Sequence, residues 1–175
     1  MSADPLFIAA AAARNKAHAI YSGFKVGAAV QASDGIIYTG CNVESASYGL
    51  TQCAERAAVT AAIAQGRRGF TRLSIWANTA RPLLPCGACR QVLAEHAPRL
   101  ELTTSSGWDA SKCLAARTVS RSIATLLPEA VLQGDLLGMP AKRASRARSA
   151  ATQPAPAPSA RATGPRRSGP RLRSS

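Results

Sequence analysis

The chain has 175 residues and a formal net charge of +13, room for one domain with a core and a tail. All nine acidic residues lie before residue 141 beside thirteen Lys and Arg, so residues 1–140 carry +4 and residues 141–175 carry +9. No stretch is apolar and long enough to span a membrane, which excludes a helical membrane protein from the reading.

Asp4-Pro5 is a helix start, an acid at the cap and proline at the first helical position, and the alanine-rich run predicts helix to about Ile20. That run lies behind Asp4 and ahead of Arg14, the reverse of a secretory leader, so the chain reads as cytoplasmic. Its five cysteines are then ligands or buried thiols rather than disulfides. Tyr21-Ser22-Gly23 breaks the helix. Alternation over residues 24–30 predicts a strand, Ser33-Asp34-Gly35 a hairpin turn, and residues 36–39 the partner strand.

Residues 42–52 read as loop and residues 53–64 as a helix stopped by Gln65-Gly66. A buried strand is expected over residues 71–77, a second helix over 86–96, and a strand over 100–105. Residues 118–127 are expected to form a last helix, stopped by Pro128. A hairpin followed by alternating strands and helices implies an α/β sheet covered on both faces. The domain is expected over residues 1–137. Residues 138–175, built from Arg, Ala, Pro, Ser and Gly, are expected to be a disordered basic tail. Polyanions would bind such a tail, but it has no aromatic residue on which a base could stack.

The chemistry concentrates in Cys53-Ala54-Glu55 and Pro85-Cys86-Gly87-Ala88-Cys89. Three thiolates suit a catalytic zinc ion, because three protein ligands leave a fourth tetrahedral position for water. A structural zinc knuckle would need a fourth ligand. The spare candidates Cys41, Cys113, His18 and His96 have no motif spacing to the others. Each ligand falls at a predicted helix start, where the partial positive charge favours thiolate. Glu55 is left free to move protons. One or both of Arg56 and Arg90, each directly following a motif residue, are expected to donate to the thiolates and offset their charge, with an ordinary surface charge as the alternative for Arg90.

Four blocks in order, residues 21–29, 42–50, 53–56 and 85–91, closely resemble the cytidine deaminases of the small homotetrameric type. The Cys-Ala-Glu and Cys-x-x-Cys layout is the known arrangement of zinc deaminases. The resemblance is dense over residues 15–96 and thinner to about residue 137. It implies a three-layer αβα sandwich with a mixed sheet of about five strands, one zinc per subunit, and a homotetramer. It implies Cys53, Cys86 and Cys89 as zinc ligands and Glu55 as the proton shuttle. Phe24 would pack on the pyrimidine, Asn42 and Glu44 would bind the ribose hydroxyl, and Ala54 would meet the base through its backbone. Tyr48 would reach the neighbouring subunit's site, and Arg56 would support the thiolates.

The reaction implied is hydrolytic deamination of cytidine and deoxycytidine to uridine and deoxyuridine with release of ammonia, as in pyrimidine salvage. A blasticidin-type deaminase, a nucleic-acid cytosine deaminase and a non-catalytic zinc protein are the competing readings. Two segments depart from the family pattern. Leu126-Leu127-Pro128 is followed by Glu129-Ala130-Val131, a valine where the family carries an aromatic, and residues 103–117, with Trp108 and Cys113, look unlike the usual strand and turn.

Overall fold

Asp4 starts the first helix as its position demands: its carboxylate accepts from the Leu6 amide, and Pro5 fills the first turn. The computed structural model describes residues 4–109, 114–132 and 135, so the expected tail at 138–175 and Cys113 lie outside the described residues. The elements run α1 (Pro5–Arg14), β1 (Val26–Ala32), β2 (Ile37–Cys41), a 3-10 turn (Tyr48–Leu50), α2 (Ala54–Ala64), β3 (Phe70–Ala77), α3 (Gly87–His96), β4 (Glu101–Asp109), β5 (Leu114–Ser122) and α4 (Ile123–Leu126).

The five strands form one sheet in the order β2-β1-β3-β4-β5. β1 is antiparallel to β2 and β3, β3 and β4 are parallel, and β4 and β5 are antiparallel. A parallel pair needs a crossover, which α3 supplies between β3 and β4. Strand alternation then sorts the core into two layers. Val26, Ala28, Val30, Leu73, Ile75 and Leu102 pack with Ala58 and Val59 of α2 and Leu93 of α3. Ala29 and Trp76 point the other way, onto Leu6, Phe7 and Ala10 of α1. The result is the αβα sandwich with a mixed sheet that the resemblance implied.

Two glycines let the helices on the two faces come close. A Cβ on Gly27 would meet the Ala10 carbonyl oxygen of α1 at 2.0 Å, and one on Gly40 would meet the Ala58 nitrogen of α2 at 2.4 Å. Any side chain there would push a helix off the sheet.

Two expectations fail. α1 ends at Arg14, not near Ile20, because the chain must next lie beside residues 42–44. His18 donates its amide to the Asn42 carbonyl oxygen at 3.0 Å, and Glu44 donates to that of His18 at 2.8 Å. The expected helix over residues 118–127 is mostly strand. Residues 117–122 pair in register with residues 106–101 of β4, and helix begins only after Ser122, whose hydroxyl accepts from the Thr125 amide. Thr118, Val119, Ser120 and Ser122 are poor helix formers, and two of them are β-branched, so the neighbouring strand wins.

Candidate zinc active site

The two helices that carry the cysteines start at the same place in the fold. Cys53 caps α2, Cys86 caps α3, and Cys89 lies in the first turn of α3. Their sulfurs all lie within 4.8 Å of one another, and those of Cys53 and Cys86 are 3.9 Å apart. Tetrahedral zinc with bonds of about 2.3 Å to sulfur places its sulfurs about 3.8 Å apart, so spacing and donor chemistry both fit. The cluster suits one zinc ion per chain, with the fourth position left for water. Neither Cys53 nor Cys86 spends its sulfur on the helix amides, so those donors remain to polarise the cluster.

The sulfurs share protons unequally. The Cys89 thiol, then Arg56 and the Cys86 thiol, donate toward Cys53 and lower its thiol to about 5, partly opposed by burial. Cys89 is pushed up by that same hydrogen bond and by burial. Glu55, in the first turn of α2, is 6 % exposed. Burial raises its carboxyl above the ordinary value, the Cys53 sulfur adds to the rise, and a hydrogen bond from Cys89 works against it. A carboxyl kept ready to hold a proton thus sits against the sulfur cluster.

The two arginines separate in role. Arg56 Nη2 lies 3.9 Å from the Cys53 sulfur and donates at 2.7 Å to the Thr51 carbonyl oxygen. Its buried Nε finds no partner among the described residues. Arg90 does not reach a sulfur by hydrogen bond. It donates to the carbonyl oxygens of Pro85 at 2.9 Å and Leu126 at 3.2 Å, the second at the open C-terminus of α4. Arg90 therefore braces the backbone before Cys86. Gln91, next in sequence, donates to the Val131 carbonyl oxygen and ties that segment to α3. The Val131 side chain is exposed.

Among the residues expected to meet substrate, Asn42 is buried and clamps the Phe24 segment. Its Nδ2 donates to the Phe24 carbonyl oxygen and its Oδ1 accepts from the Val26 amide, both at 2.8 Å. Glu44 accepts from the amides of Tyr21 at 2.9 Å and Ser22 at 3.2 Å, and from the Ser22 hydroxyl. The Ser22 hydroxyl, followed by those amides, holds the Glu44 carboxyl below its ordinary value. Phe24 itself is 43 % exposed, and Ala54 is buried in the first turn of α2. Tyr48, 75 % exposed, packs edge-on against Tyr21 with centroids 6.2 Å apart.

The Thr51 carbonyl and Arg90's carbonyl partners escape the sequence reading because backbone acceptors leave no mark in residue type, and Ser22 escapes it because its carboxylate partner lies 22 residues away. His18 and His96 are exposed, the surface or helix-end places expected for them. Cys41, expected to be buried, is half-buried and donates its thiol to the Lys16 carbonyl oxygen. A cavity of about 750 Å³ beside Leu83, Leu84, Val119 and Arg121 includes none of the three sulfurs.

A five-stranded mixed sheet with three thiols and a buried glutamate at converging helix starts defines a zinc-dependent hydrolytic deaminase. The chain belongs to the cytidine and deoxycytidylate deaminase family, whose zinc-binding region matches residues 1–100. It is 48 % identical over 95 residues to a cytidine deaminase from Sporosarcina psychrophila, a stretch covering 54 % of this chain and 70 % of that protein. It is 52 % identical over 86 residues to a cytidine deaminase from Halalkalibacterium halodurans, covering 49 % of this chain and 65 % of that one. The crystal structure of a cytidine deaminase from Burkholderia pseudomallei matches with a TM-score of 0.67 at 43 % identity, over 75 % of this chain and all of the other.

Proposed function

We propose that this chain hydrolyses cytidine and deoxycytidine to uridine and deoxyuridine, releasing ammonia, and serves pyrimidine salvage. The observation that carries the reading is the buried Glu55 beside the three-sulfur cluster, since a purely structural metal site has no use for a carboxyl there. Bound by Cys53, Cys86 and Cys89, zinc supplies the positive charge that makes a water nucleophilic near neutral pH.

The chain's own residues do the rest. Glu55 takes the first proton that water gives up and delivers it to ring N3, then takes the second from the new C4 hydroxyl and delivers it to the departing amine. A C–O bond forms at C4, the C4–N bond breaks, and ammonia leaves. A carboxyl whose burial favours the protonated form suits both halves of that shuttle. Phe24 offers a flat apolar face to the base, and the Ala54 backbone meets its edge. Asn42 and Glu44 keep an unused donor and acceptor for a sugar hydroxyl, which favours a nucleoside over free cytosine.

The subunits are proposed to assemble, as a homotetramer. Ile20, Tyr21, Phe24, Tyr48 and Leu50 are all exposed, and several of these apolar side chains adjoin the proposed substrate residues. Tyr48 would then serve a neighbour's site, and light scattering that finds a monomer would remove that role. A reducing compartment such as the cytoplasm suits a site that needs three free thiols.

The deciding experiment measures ammonia release from cytidine by the zinc-loaded protein and by Glu55→Ala. Cytosine and a short single-stranded oligonucleotide serve as competing substrates. Turnover of cytidine alone, lost in the variant, is expected. Turnover of the oligonucleotide, or none with one zinc bound, would sink the proposal.

A further inference from the structure

The sequence gives Ser22 no role, yet its hydroxyl joins the two ends of the proposed substrate site. The Phe24 amide can only donate, so Ser22 Oγ accepts from it, at 3.0 Å. An ionised carboxylate can only accept, so the single hydroxyl proton of Ser22 points at Glu44 Oε1. One oxygen therefore fixes a direction through the site, from the Phe24 backbone to the Glu44 carboxylate. The Tyr21 and Ser22 amides hold the other carboxylate oxygen, at 2.9 and 3.2 Å. Gly23, at φ 69°, lets the chain turn tightly enough for Ser22 to face both partners.

We propose that Ser22 is a positioning residue, which sets the Glu44 carboxylate at a fixed distance from the Phe24 ring and so matches the sugar end of the site to the base end. This rests on the reading that Phe24 and Glu44 meet substrate. The donor count makes the case. Glu44 has about four lone-pair sites, and the 21–22 turn takes three of them. The remaining one is aimed by the other three. Without the Ser22 hydroxyl, Oε1 loses the contact that holds it, and the carboxylate rotates toward water. The Phe24 amide loses its acceptor in the same step. Asn42 still holds the Phe24 carbonyl oxygen, so the damage is local and not a collapse of the strand.

The test uses the zinc-loaded full chain and four variants: Ser22→Ala, Ser22→Thr, Glu44→Ala and the double variant Ser22→Ala with Glu44→Ala. Readouts are KM and kcat for cytidine, calorimetric affinity for uridine, and hydrogen exchange of the Phe24 amide. Ser22→Ala is expected to raise KM and weaken uridine roughly ten-fold, the size of one charge-assisted hydrogen bond, with kcat little changed. Ser22→Thr should restore most of the loss, and the Phe24 amide should exchange faster in Ser22→Ala. The Ser22→Ala penalty should largely vanish when Glu44 is already alanine. An equal penalty with and without Glu44, or unchanged Phe24 exchange, overturns the proposal. Glu44→Ala with wild-type KM and uridine affinity instead overturns the sugar-contact reading, and the exchange data still report whether Ser22 holds the Phe24 backbone.

Discussion

Arg56 lies against the sulfur of Cys53, its Nη2 3.9 Å from Sγ, while the same nitrogen donates to the Thr51 carbonyl oxygen at 2.7 Å. Three thiolates on a divalent ion leave a net charge of −1, which blunts the ion's acidity. A guanidinium held beside one sulfur draws part of that charge away. Arg56→Gln removes the charge and keeps a polar amide, on a shorter side chain that also gives up the Nη2 contacts. Its kcat/KM for cytidine should fall roughly 10- to 100-fold, with the acidic limb of the pH–rate profile moved to higher pH. An unchanged profile with unchanged zinc affinity would reduce Arg56 to a prop for the Thr51 carbonyl.

Asn42 spends its side chain on the protein itself. Its amide closes two hydrogen bonds to the Phe24–Val26 backbone, and it is 8 % exposed. Asn42→Ala leaves a buried amide and a carbonyl without partners, at a cost of about 2–4 kcal/mol in denaturant unfolding. Asn42→Asp keeps the acceptor for Val26 but turns a carboxylate toward the Phe24 carbonyl oxygen, so it should also destabilise. If both variants keep wild-type stability and lose only affinity, the clamp is incidental.

The zinc-free protein should show a stability that depends on pH through its thiols. The Cys53 thiol, lowered from 9.0 to about 5, contributes stability that is present above the unfolded value and lost as pH falls through the folded one. Between those limits the unfolded chain binds the extra proton, so stability rises with pH. The raised Cys89 thiol acts in the opposite sense, and its contribution fades only at strongly alkaline pH. In Glu55→Gln, where the raised Glu55 carboxyl no longer opposes the rise by losing its proton in the same window, urea midpoints with a chelator and a reductant should therefore climb from pH 5 to 8. The zinc-loaded protein, whose folded state holds all three thiols deprotonated while the unfolded chain protonates them, should climb more steeply over the same range. A flat profile without zinc would mean that the sulfurs do not share protons as the geometry implies.

What the sequence disclosed, and what it hid, follow from the range of the interactions. Cys53, Glu55, Cys86 and Cys89 were legible because spacing and helix starts are local, and a three-thiol set has few other uses. The helix-covered sheet was legible from the order of elements, a hairpin followed by strands alternating with helices. The 117–122 stretch was misread because a nearby Leu-Leu-Pro suggests a helix end, while its pairing with β4 depends on residues it cannot see locally. Arg90 looked like a thiolate partner by adjacency to Cys89, and only the fold brings the Leu126 carbonyl within its reach. Ser22 and Glu44 meet across 22 residues, and the sequence gives no sign of that pair.

Gly40 and Gly27 make a matched pair of tests for how the zinc helix is seated. A Cβ on Gly40 would lie 2.4 Å from the Ala58 nitrogen and 2.5 Å from the Ala54 carbonyl oxygen, both backbone atoms of α2. α2 also carries Glu55 in its first turn, with Cys53 as its cap. A Cβ on Gly27 would instead strike the Ala10 carbonyl oxygen and the Arg14 backbone, on the opposite face. Each alanine variant should destabilise by about 1–3 kcal/mol or more, since rigid backbone must move. They should part company at the metal. Gly40→Ala shifts the helix start that holds Cys53 and Glu55, so kcat should fall on the order of 100-fold and zinc affinity with it. Gly27→Ala, on the α1 face, should keep near-wild-type zinc affinity and kcat at temperatures where it stays folded. Equal losses of zinc in the two variants would mean that the site senses overall stability and not the seating of α2.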